Sequence, residues 1–203
     1  MSGPAILLSL LFGTAAVMTV ALAIAWAHFG RRKHVLTWTA SYGVGVLQWL
    51  TNAAGFFLQS PALYIVTGIG LITSGSLLAI GIRQRSGRPL HVAAFAIPAA
   101  VVSLMMALAI GSLGSQIMQG MIIPTYVGTL LLVSAASLWP RGRPLTPPEK
   151  AFFACLILYA MCQLALAISA TFIRSPTEGK ELYRNILGLF MPTIYVGTAV
   201  SAV

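Results

Sequence analysis

Four hydrogen-bonding side chains lie inside apolar runs of this sequence: Gln48 and Asn52 in one run, Tyr159 and Gln163 in another. Each pair is four residues apart, so each pair shares one face of a helix. Three carboxamides and a phenol can hold a small polar ligand, but they make no nucleophile–base pair. The three histidines are the other candidates. His28, His34 and His91 fall at the edges of apolar runs. Neutral imidazoles there suit an interfacial position, or ligation of a haem or metal. His28 and His34 flank one short separator, so a shared ligand is geometrically allowed. No His-x-x-x-His or Cys-x-x-Cys spacing offers a zinc site. Cys155 and Cys162 are seven apart, about 10 Å along a helix. That exceeds the ~7 Å Cα limit for a disulfide, so they read as packed thiols.

What is missing narrows the chemistry further. The chain has no Asp, and Glu occurs only at 149, 178 and 181. No carboxylate dyad lies inside an apolar run, which removes most enzyme classes. No Lys, Arg, Asp or Glu lies deep in any apolar run, which speaks against an ion-coupled transporter. A retinal pump is excluded, since the last run has no Schiff-base lysine.

The elements that carry these residues are membrane spans. Of 203 residues, 58% are hydrophobic and 7% charged, where soluble domains carry roughly a quarter charged. Seven segments are long enough to cross a hydrocarbon core: 5–29, 35–58, 62–82, 90–111, 117–138, 151–173 and 186–203. The expected fold is an all-α bundle of seven transmembrane helices, a single domain over 1–203. The first span is too long for a signal peptide and lacks a basic leader.

The net charge of +9 sits in clusters between spans, which marks topology and not nucleic-acid binding. Arg31, Arg32 and Lys33, then Arg83, Arg85 and Arg88, then Arg141, Arg143 and Lys150 occupy loops one, three and five. The positive-inside rule puts these loops in the cytoplasm, the N-terminus outside and the C-terminus inside. Loop six, with Arg174, Lys180 and Arg184, is the exception. Trp26, Trp38 and Trp139 fit an aromatic belt near the cytoplasmic ends.

Small and polar residues align within the spans. Ser41, Gly45, Gln48, Asn52 and Gly55 make one stripe, and Thr67, Gly70, Ser74 and Gly81 another. Such stripes let helices approach closely. They serve either bundle packing or a ligand pocket built from Gln48, Asn52, Tyr159 and Gln163. Pro98 in mid-span four, Pro124 at the opening of span five and Pro192 in span seven each remove a backbone hydrogen bond. A Pro-Thr-(Ile)-Tyr-Val-Gly-Thr echo at 124–129 and 192–198 is too short to establish a repeat.

The chain resembles the N-terminal multi-pass membrane region of bacterial GGDEF-type diguanylate cyclases. The residues that carry this are Arg31-Arg32-Lys33-His34-Val35-Leu36-Thr37-Trp38, Gly81-Ile82-Arg83-Gln84-Arg85-Ser86-Gly87-Arg88-Pro89, and Gly188-Leu189-Phe190-Met191-Pro192-Thr193-Ile194-Tyr195-Val196-Gly197-Thr198. The resemblance implies a sensor in the bacterial cytoplasmic membrane. It would act as a homodimer on a C-terminal cytoplasmic output domain that makes cyclic di-GMP. Pro192, Tyr195 and Gly197 would form the hinge that transmits the signal, and replacing Pro192 by Ala would change output. The family's catalytic domain is absent from this chain, so no catalytic residue carries over. No cofactor is implied. A seven-helix transporter or channel, or a b-type haem protein, is the alternative.

Overall fold

The computed structural model describes residues 3–111, 116–139 and 145–172. They form six helices and no strand: α1 (Gly3–His28), α2 (Lys33–Leu58), α3 (Pro61–Arg85), α4 (Ala93–Gly111), α5 (Gln116–Leu138) and α6 (Pro147–Phe172). Span seven, with Pro192, Tyr195 and Gly197, lies outside the described residues.

Five of these helices are long and apolar enough to cross a membrane: α1, α3, α4, α5 and α6. In hydrocarbon every backbone polar group must be bonded within the chain, and a helix does this locally. The apolar residues run around each of these helices and continue on their outer faces, for example Ile97, Val101, Leu104 and Leu108 of α4. That is the pattern of a helix set against lipid. The second span falls short of that apolar threshold because Thr37, Thr39, Ser41, Gln48, Thr51 and Asn52 interrupt it.

The helices start and stop for local reasons. Gly30 (φ 94°) turns α1 into α2, and Arg31 follows it in the left-handed region (φ 51°). Gln59 closes α2 in the left-handed conformation, and Pro61 opens α3 just after Ser60. A proline there gives up a donor that the first turn would leave unpaired anyway. At α6 the Thr146 N–H and hydroxyl both donate to Glu149 Oε2, at 2.9 and 3.0 Å. This capping interaction starts the helix at Pro147, four residues before the apolar run begins at 151. Two further bounds move. α3 runs on to Arg85, past residue 82, and α4 begins at Ala93, not at 90. Pro98 sits near the start of α4 and Pro124 well inside α5, and both helices continue through them.

The packing order follows from residue pairs. α2 runs antiparallel to α3, from Thr37 beside Gln84 to Gly55 beside Leu63. α5 runs antiparallel to α6, from Gly120 near Ala170 to Trp139 against Phe153. α3 and α5 join the two pairs, with Gly75 against Val127. α1 packs on α2, and α4 packs on α3 and α5. Among the described residues α2 and α6 make no close backbone approach; side chains alone span the gap.

All seven described Lys and Arg residues gather at one end of this bundle: Arg31, Arg32, Lys33, Arg83, Arg85, Arg88 and Lys150. The opposite end carries no described charge.

Candidate functional site

The two polar stripes face each other. Ser41 Oγ donates to the Ser74 carbonyl at 2.8 Å, and Ser74 Oγ donates back to the Ser41 carbonyl at 3.0 Å. One end of the seam holds the Trp38 indole, whose Nε1 donates to the Leu78 carbonyl at 3.2 Å. At the other end Thr67 donates to Thr51 at 3.0 Å, and Thr51 donates to the Gln48 carbonyl at 2.9 Å. Gly70 lets the Gln48 side chain lie directly on α3, and Gly81 makes room for the indole. Most of the stripe is therefore consumed in joining α2 to α3. In bilayers such interhelical bonds contribute about 0.6 kcal/mol each.

A cavity opens where α2, α3, α5 and α6 converge, walled by Ser41, Tyr42, Leu71, Ser74, Gly75, Leu78, Val127 and Tyr159. Its volume is about 20 Å³, room for about one water-sized group. Of the four residues singled out from sequence, Tyr159 alone lines it. Gln163 lies one turn further along the same face of α6 and is 1% exposed. Gln48 is 3% exposed against Gly70, and Asn52 is half-buried. The structure thus keeps Tyr159 with Gln163, and Gln48 with Asn52, on two helices whose backbones do not adjoin. The cavity's remaining walls are mostly apolar residues and a glycine, which carry no chemical signal in a sequence. Ser41 and Ser74 were visible as stripe members.

Two of these amides are strained electrostatically. Gln48 Oε1 and Gln163 Nε2 are buried without a hydrogen-bond partner, as is Trp49 Nε1. Leaving such a group unpaired costs about 1–3 kcal/mol.

A second cluster occupies the basic end. The Arg85 guanidinium lies 5.3 Å from the Phe152 ring centre and 6.0 Å from that of Trp38. Trp38 also packs against Phe152 at 5.8 Å and takes the edge of His34 at 5.2 Å. Three helices, α2, α3 and α6, are pinned together here. Burial, then Arg85 and then Arg32, holds His34 below its ordinary value of 6.5. The fold therefore disfavours the charged imidazole of His34. A lowered pKa means that the unfolded chain binds this proton more readily than the folded one, so stability falls as pH drops below about 6.5. Thermal unfolding followed from pH 7.5 to 5 is expected to show that decline, and His34→Gln is expected to flatten it.

His28, the last residue of α1, and His91, ahead of α4, are exposed at the same end. Among the described residues no three His, Cys, Asp or Glu side chains group to hold a metal ion. Cys155 and Cys162 are both free thiols. The Arg85 cluster escaped sequence reading because spacing does not reveal which loop cation stacks on which aromatic ring. No family model, no curated protein and no solved structure matches this chain.

Proposed function

We propose that the chain is a membrane-embedded sensory module that controls a cytoplasmic diguanylate cyclase domain continuing from its C-terminus. In this scheme α2 crosses the membrane beside α1 and α3, and residues 186–203 form a seventh span. The N-terminus is outside and the basic end faces the cytoplasm of a bacterial inner membrane. The module works as a homodimer, because paired output domains make cyclic di-GMP.

The cyclase reading rests on the resemblance carried by Arg31–Trp38 and Gly81–Pro89; the unpartnered Gln48 Oε1 and Gln163 Nε2, in a bundle with no charge deep in its described helices, support only that the packing can switch. Unpaired polar groups favour a second packing, or a ligand, that pairs them. A shift of α6 relative to the clamped α2–α3 pair would change what Gln163 faces and would move the segment that follows α6. The cavity walled by Tyr42, Ser74 and Tyr159 has room for about one water-sized group.

Replacing Gln163 by Leu removes the unpaired donor and keeps the volume. The variant is expected to gain about 1–3 kcal/mol of stability and to fix output at one level. Thermal unfolding and cellular cyclic di-GMP, measured on the chain with its natural continuation, check both. A destabilised variant whose cyclic di-GMP still follows the wild type would sink the switch.

A further inference from the structure

We infer that the basic end holds a site for an anionic phospholipid, with the headgroup phosphate on Arg31, Arg32 and Lys33 beside Arg85. Seven cations share this end with one described carboxylate, Glu149. Arg31, Arg32 and Lys33 stand at the α1–α2 junction and Arg83 and Arg85 close α3 at the same end, with the Arg85 guanidinium 6.0 Å from the Trp38 ring centre of α2. Like charges held together this way are relieved by an anion, and guanidinium groups match a phosphate with paired donors.

The surroundings select a lipid over free phosphate. Phe29 (74% exposed) and Leu36 (47% exposed) flank Arg31–Lys33 on either side in sequence. They present apolar surface where an acyl chain would run. Arg31 sits over Trp26, with its guanidinium carbon 5.7 Å from the ring centre. Cations set on aromatic rings at a span's end lie at headgroup depth. The site needs only the described helices and does not depend on any output domain.

The test uses the purified full chain in neutral detergent, with phosphatidylglycerol, phosphatidylcholine of matched chains, or inorganic phosphate added. Binding is read by native mass spectrometry and by thermal unfolding. Phosphatidylglycerol is expected to bind and to raise the midpoint, less so at high salt. The triple variant Arg31→Gln, Arg32→Gln, Lys33→Gln is expected to weaken that binding roughly tenfold or more. Its midpoint without lipid shows whether it folds. If it does not fold, the single Lys33→Gln variant is expected to weaken binding several-fold. Equal effects of phosphatidylglycerol and phosphatidylcholine would overturn the site. Full competition by millimolar phosphate would overturn the lipid as its ligand.

Discussion

Replacing Trp38 by Ala is expected to destabilise the protein by about 3–5 kcal/mol, the largest loss for any single truncation in the described bundle. Trp38 is 1% exposed and is the largest side chain among those fully buried. Its ring packs on Phe152 of α6, takes the edge of His34, and stands near the Arg85 guanidinium. Its Nε1 holds the Leu78 carbonyl of α3. Truncation empties a junction where side chains of α2, α3 and α6 meet, and exposes Arg85 to a void. Thermal unfolding in detergent measures the loss. Trp38→Phe, which keeps a ring and drops the indole donor, is expected to retain most of the stability. A midpoint for Trp38→Ala within a degree or two of wild type would contradict this packing.

The second large effect is on the other side of the same contact. A side chain at Gly81 would run into the Trp38 indole, a rigid neighbour with no flexible end to swing aside. Gly81→Val is expected to cost about 1–3 kcal/mol or more, by driving α2 and α3 apart. Combining it with Trp38→Ala tests the geometry, because valine then fills part of the space the indole left. The double variant is expected to be more stable than the sum of the two losses, a coupling that residues in contact show. Strict additivity would mean that the two positions do not touch. By comparison, a side chain at Gly68 meets the thioether of Met106, which can move aside, so Gly68→Ala is expected to cost less.

How much of this was legible in the sequence depends on the kind of interaction. The existence of helices α1 to α6 follows from apolar runs too long for anything else. The bounds follow less well, because hydropathy stops where polar capping begins. The Thr146-Pro147-Pro148-Glu149 start of α6 is a capping signature in its own right and would have placed that end correctly. The stripes Ser41–Gly55 and Thr67–Gly81 were legible as faces, but not as partners. Only the tertiary structure brings Ser41 onto Ser74. The four-residue pocket of Gln48, Asn52, Tyr159 and Gln163 assumed that α2 and α6 adjoin. α3 and α5 lie between them, and of the four only Tyr159 reaches the shared cavity. The importance of Arg85 was invisible, since a loop arginine in a basic cluster reads as a topology marker whatever it stacks upon.

The basic end and the aromatic–arginine cluster occupy the same layer, so one region combines a three-helix junction with all the described positive charge. A change in α6 packing reaches Arg85 through Phe152 and Glu149. In the proposed sensor this layer is where movement in the membrane is passed to the cytoplasmic side. His34, whose charged form the fold disfavours, stands beside Trp38 in the same junction, so acidification acts on it too.

The most direct measurement is the coding DNA that follows Val203. A sensor joined to its own cyclase requires an open frame there, running through a helical linker to a Gly-Gly-Asp/Glu-Glu-Phe motif, and that is the expected result. A stop codon directly after Val203 would contradict the cyclase-coupled function and leave a free-standing membrane bundle, to be tested first for transport and haem binding.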